Sequence, residues 1–417
     1  MARRIRGATR ITRRDAAIGG AVASVALAQA ISAPALLAAT TAPLKIGVLN
    51  TFSGPSASTG VWNFNGVEVY LDQVNRRLAG RQVEILKEDD QFNPQIGLEK
   101  MRRFVESDGV DLVTGIQGSN IALAVLNYVK QSKAFLLVSG AGTDALTWER
   151  VPYMFRSSLS SWQLCHPFAE WIYDHLAKEI VLVSEDYAGG RDVAREIRES
   201  YVAKGGKIVK EIYVPTTVTD YSPYLTLVRS LAPKVVYNFS TGGAHAIRFV
   251  QQWGQSGIAA KLCGFAGFVD ASTIEQQGRA ALGVLSASIY TDGIDSAINK
   301  RFVADYHAKT KEHPNLFSDY GYVSMQVIDE TLKATDGDAS NKDKLAEAMA
   351  NVRFEAPRGP FRFDKVTHTP VQNVYICEER AKDGAFYTAV IDTKKDVQAP
   401  PTRNGMRVVW RTLSASR

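Results

Sequence analysis

The chain has 417 residues, room for two or three domains at about 150 residues each. At 45% apolar and 22% charged residues it has the composition of a folded globular protein, not of a disordered chain. The formal charge of +6 comes almost wholly from Arg3, Arg4, Arg6, Arg10, Arg13 and Arg14, so the nearly neutral body offers no electrostatic case for nucleic-acid binding.

Residues 1–42 read as a signal peptide. The basic stretch is followed by "AAIGGAVASVALAQAISAPALLAA", an apolar run of small residues with cleavage expected near Ala39 or Ala42. The paired arginines of "TRRDAAI" are similar to a twin-arginine export signal. Beyond residue 42 no apolar stretch approaches membrane-spanning length. The three cysteines, Cys165, Cys263 and Cys377, form no CxxC, so neither a redox motif nor a zinc site is indicated. Three buried thiols or a single disulfide are both compatible with that count.

Strand and helix patterns then alternate. "LKIGVLN" (44–50) is a strand, residues 60–80 have helical spacing closed by Gly80, and "QVEILKEDD" (82–90) is a strand. A helix from Pro94 to Ser107, "VDLVTG" (110–115), a helix from Ser119 and "AFLLVSG" (134–140) continue the series. The alternation restarts with strands at 179–186, 207–214 and 234–240, and helices over 190–204, 222–231 and from Ala244. Short strands at 261–265 and 283–288 follow, then helices at 296–310, 318–335 and 341–351. Strands at 359–364, 371–379 and 385–392 end the chain, with a tight turn at Gly384. The fold class is α/β: two doubly wound parallel-sheet lobes, with a ligand between the facing carboxyl ends of their strands.

Gly140, Gly142 and Ala145 match G-x-G-x-x-A, a dinucleotide-binding pattern. The helix after them is cut short by Pro152, and no acid lies between Arg150 and Ala169 to hold a ribose. The loop therefore reads as a cleft wall. Gly140 and Gly142 let backbone approach a ligand, while Ala141 and Thr143 offer it an N–H and a hydroxyl. Ser119 and Asn120 start a helix whose N-terminus suits a carboxylate. Ser119 is equally well explained as a plain N-cap.

"LKIGVLNTFSGPSASTGVWNFNGVEVYLDQVN" (44–75), "VTGIQGSNIALAV" (113–125), "SGAGTDALT" (139–147) and "SEDYAGGRD" (184–192) resemble, in that order, the branched-chain amino-acid-binding family of type I periplasmic solute-binding proteins. The resemblance implies lobe I over 43–160 plus 291–364 and lobe II over 161–290 plus 365–417. It implies hinge crossovers near residues 158–162, 288–293 and 364–370. It places the ligand carboxylate on Ser119, Asn120, Ala141 and Thr143. Tyr187, Ser240 and Thr241 would line the second lobe; Phe317 and Tyr320 belong either to the site or to the core. It also implies an extracytoplasmic substrate-binding protein of an ABC importer, with a membrane permease as partner and no cofactor or metal. A monomer is expected. The same closing cleft would also serve a ligand sensor that addresses a receptor or signalling kinase.

Two departures bear on the ligand. Amino-acid binders need an anion for the α-ammonium, and the family's acid after "VVYNF" is replaced by "STGGAHA", with Ala244 in its place. Thr59 stands where an aromatic covers the ligand, with Trp62 a possible substitute. An aromatic or short-chain acid, or an amide, fits better than an amino acid. Asp186 keeps the amino acid open, and His245 is a second anion contact or an exposed residue. No HExxH, HxH or G-x-S-x-G motif supports an enzyme.

Overall fold

The computed structural model describes residues 42–400. The expected signal peptide and the last residues of the expected lobe II lie outside them. The first lobe runs β1 (Leu44–Asn50), α1 (Ala57–Gln73), β2 (Arg77–Leu78), β3 (Arg81–Asp89), α2 (Pro94–Glu106), β4 (Leu112–Gly115), α3 (Ser119–Ser132), β5 (Leu136–Val138), α4 (Ala145–Glu149) and β6 (Met154–Arg156). The second runs α5 (Ser161–His175), β7 (Glu179–Glu185), α6 (Ala188–Ala203), β8 (Lys207–Val214), α7 (Ser222–Leu231), β9 (Val235–Phe239), α8 (Gly243–Gln255), β10 (Lys261–Gly264), α9 (Ile274–Gln277) and β11 (Leu285–Ser288). Then follow α10 (Ala297–Thr310), α11 (Leu316–Ala334), α12 (Lys342–Ala350), β12 (Arg353–Ala356), β13 (Gly359–Phe363), β14 (Pro370–Lys382) and β15 (Ala385–Val397).

The first sheet has the order β2-β3-β1-β4-β5-β6, parallel except for the β2–β3 hairpin. In the second, β8, β7, β9, β10 and β11 are parallel neighbours, and β14 closes the set antiparallel to β11. β14 is long enough to serve both sides. Its start pairs with β13 at Pro370 and Val371, and its later residues pair with β11 and β15.

Apolar runs explain the sheets: Ile46, Val48, Leu112 and Leu137 in one and Ile180, Leu182, Val236 and Leu262 in the other are buried on strands covered by helices. α11 returns to the first lobe and crosses α1 at near backbone contact. A Cβ on Gly66 would stand 1.8 Å from the Ser318 carbonyl oxygen, and one on Gly321 equally near that of Asn63.

Two local expectations need correction. The helix over 60–80 begins at Ala57 and ends at Gln73, because Asn75 and Arg76 take positive φ; Gly80 turns the β2–β3 hairpin instead. β6 and α5 were not expected: β6 has only three residues, and α5 carries Pro167 inside a helical run. The cysteines are three buried free thiols.

Candidate functional site

The carboxyl ends of the parallel strands of both sheets converge on one cavity, with about 620 Å³ of atom-free space there when the open solvent at its mouth is counted. From the first lobe come Ser119, Gly140, Gly142 and, from α11, Phe317 and Tyr320. From the second come Tyr187, Ser240 and Thr241. Among the described residues that line the cavity, none carries a charge.

Ser119 begins α3, which has Gly118 as its N-cap and no side-chain cap. The leading N–H groups of the helix are thus left to whatever faces them, with the positive end of its dipole behind them. Ser119 is therefore not the N-cap; it is the first helical residue, buried at the cavity wall. Ser161, at the start of α5, donates its hydroxyl to the Gly142 carbonyl at 3.0 Å and steadies that loop.

Three expected contacts fall elsewhere. Ala141 spends its N–H on the Ile116 carbonyl at 2.9 Å, so it points into the lobe. The Thr143 hydroxyl turns to Asp192 of α6, and its carbonyl accepts from Arg156 at 2.9 Å. Asn120 lies behind the wall and donates to the Phe92 carbonyl at 3.3 Å. The reason is common to all three: a loop has no fixed alternation, so the sequence does not say which side each residue takes.

Aromatic rings make most of the apolar wall. Tyr187 packs on Phe92, centroids 5.6 Å apart, and on Phe239 at 6.1 Å. Phe239 meets Phe265 edge-on at 5.2 Å. Phe317 lies against Trp62 at 6.1 Å and stands at 90° to Tyr320. Trp62 thus supports Phe317 from behind, with its indole N–H on Glu312 at 3.2 Å, and does not line the cavity. Thr59 does line it, its hydroxyl donating to the Ser56 carbonyl at 2.8 Å. Phe92, Gln117, Phe239 and Phe265 were missed. Phe239 and Phe265 read as strand residues, and Gln117 lies in the link between a strand and a helix, where no periodicity marks it.

Acids approach the site without entering it. Glu185 ends β7, is 1% exposed, and burial pushes its carboxyl up to about 7. It faces the hydroxyl and amide of Thr241, though neither is aligned into a hydrogen bond. His245, 3% exposed, places Nδ1 3.3 Å from Glu185, so it is neither exposed nor a ligand contact. Asp186 pairs with Arg191 at 2.6 Å on the surface, away from the cavity.

A family model described as periplasmic binding protein matches residues 43–385. The chain belongs to that family. A solved ABC transporter substrate-binding protein from Sphaerobacter thermophilus is 34% identical, with a TM-score of 0.81 over 86% of this chain and 100% of its own. A solute-binding protein from Rhodopseudomonas palustris BisB5, solved with 3,4-dihydroxy benzoic acid, is 30% identical, with a TM-score of 0.82 over 86% and 99%. Leu/Ile/Val-binding protein homolog 6 of Brucella melitensis biotype 1 is 28% identical over 358 residues, 84% of this chain and 91% of that one. This periplasmic binding protein is the solute-binding protein of an ABC transporter with the two-lobe type I fold, and its family implies a place outside the cytoplasm and a permease partner.

Proposed function

We propose that the protein captures a small organic acid without an ammonium group, an aromatic carboxylate by preference, closes its lobes over it and presents it to the permease. The observation that carries this is the chemistry of the cavity wall: aromatic rings and hydroxyls, an uncapped helix end, and no charged side chain among the described residues. A carboxylate at Ser119 meets the N-terminus of α3, where neighbouring N–H groups and the dipole favour an anion. A ring beyond it packs among Phe92, Tyr187 and Phe317. An α-ammonium in the same space would be buried with no anion beside it, at a cost of several kcal/mol. The aromatic acid bound by the R. palustris relative supports the same class.

Closure has its own support in contacts that join the lobes, Phe92 with Tyr187 and Thr143 with Asp192. The lobes would comprise residues 43–160 with 291–364, and 161–290 with 365–417. Residues 1–42 would act as the export signal. The chemistry proposed is binding, with no catalytic residue.

A thermal-shift screen across amino acids, aromatic acids, short-chain acids and amides tests the assignment. A true ligand at about 100 times its Kd stabilises by about 2.7 kcal/mol. Shifts confined to zwitterionic amino acids would overturn it. Small-angle scattering tests closure: the radius of gyration falls at saturation, and an unchanged radius refutes it.

A further inference from the structure

The first-lobe wall contains a chain of amides whose direction is set by its anchors. Asn63 Nδ2 lies 3.4 Å from the Ser139 carbonyl, 3.2 Å from the Ser139 hydroxyl and 3.4 Å from the Phe317 carbonyl. Carbonyls only accept, so the nitrogen of Asn63 must face them and its oxygen must face away. That oxygen accepts from Asn50 Nδ2 at 2.9 Å. Asn50 Oδ1 is then the acceptor for Gln117 Nε2 at 3.4 Å. Asn50 and Asn63 are fully buried, so reversing either amide would set donor against donor with no water to absorb the change. What remains at the end is Gln117 Oε1, a buried acceptor without a partner, on a residue that lines the ligand cavity. Gly140 leaves it room, since a Cβ there would sit 2.2 Å from that oxygen.

We propose that Gln117 determines ligand specificity by presenting this oxygen to a neutral hydrogen-bond donor on the ligand. The inference rests on the organic-acid reading of the cavity and narrows it to acids that also carry a hydroxyl or an amide N–H. A ligand without such a group leaves the acceptor desolvated and unpaired, which sites of this kind discriminate against. The relay acts through Asn50 and Asn63, which are positioning residues; only Gln117 meets the ligand.

The test measures the Kd of benzoate, the three monohydroxybenzoates and their methoxy counterparts by calorimetry, on the unaltered protein and on Gln117→Met. At least one hydroxybenzoate is expected to bind about tenfold tighter than benzoate, the size of one buried hydrogen bond. Its methoxy counterpart, an acceptor without a donor, loses that gain. In Gln117→Met the hydroxyl preference disappears, and benzoate and its hydroxy derivatives bind with like affinity. Equal affinities for benzoate and every hydroxybenzoate would overturn the proposal, as would a preference that survives in Gln117→Met. The comparison among ligands on the unaltered protein stands even if that variant folds poorly, and its unliganded melting curve reports whether it does. If no aromatic acid binds at all, the ligand class itself is wrong and this inference falls with it.

Discussion

Phe92 and Tyr187 meet across the cleft, one ring from each lobe, with centroids 5.6 Å apart and planes inclined by 60°. Both also line the ligand cavity, and with one ring on each lobe the contact requires the lobes to be together. Edge-to-face pairs contribute about 0.5–1.5 kcal/mol beyond their buried area. Phe92→Ala should therefore speed ligand release by roughly twofold to tenfold. Stopped-flow release from the ligand complex measures this, and an unaltered release rate would show that the pair does not hold the closed state.

Much of this architecture is legible in the sequence, because strands such as "LKIGVLN" and "EIVLVSED" carry apolar runs bounded by helical patterns. Ser119, Gly142, Tyr187, Ser240, Thr241, Phe317 and Tyr320 are also named from the sequence, and the fold brings them to one cavity. Side-chain direction within loops was not legible. Ala141 and Thr143 sit one residue either side of Gly142, yet only Gly142 faces the cavity, because neighbouring hydrogen bonds to Ile116 and Asp192 turn the others away. Gln117 was hidden for a different reason. Its role depends on an amide chain from Asn50, Asn63 and Ser139, segments far apart in sequence that only the fold assembles.

Arg358 and Asp319 form an ion pair at 2.5 Å with both side chains wholly buried. The same guanidinium donates to the Ser157 carbonyl at 2.8 Å and to Gln372 Oε1 at 3.1 Å, tying the residue after β6 and the start of β14 to α11. Removing one partner strands a buried charge. Arg358→Met should cost about 3–5 kcal/mol in urea unfolding, and adding Asp319→Asn should recover part of that loss. A double variant no more stable than the single one would mean that the two charges are not energetically coupled.

Stability should fall as pH rises from 6.5 to 8.5. Burial is the main cause raising Asp144 and Glu185 to about 7 and Glu379 to about 8. Unfolded, these carboxyls titrate near 4. Between that value and their folded values the native chain binds more protons than the unfolded one, so stability is fully present at low pH and lost as pH climbs through the folded pKa values. His245, lowered by burial, acts below about 6.5, where its protonation in the unfolded chain opposes folding. Denaturant unfolding at pH 6.5 and 8.5 measures the slope. Glu185→Gln should flatten it; a slope of opposite sign, or one unmoved by that change, contradicts the assignment.

Ser119 offers a test of where the ligand's carboxylate sits. Ser119→Asp places a fixed anion at the first residue of α3, where acidic side chains stabilise a helix by about 0.3–1 kcal/mol. The unliganded variant should thus melt no lower than the unaltered protein. A ligand carboxylate would then face a like charge in a closed, dry site, and such juxtaposition costs several kcal/mol, or about 100-fold or more in Kd. Ser119→Ala, which removes the hydroxyl but leaves the helix end free, should weaken binding by only about tenfold or less. Ser119→Asn, which matches Asp in size and carries no charge, separates charge from bulk: it should bind far closer to the unaltered protein than Ser119→Asp does. If the Asp variant still binds aromatic acids within about tenfold, the carboxylate does not rest on α3, and the anion-binding role passes to another part of the wall.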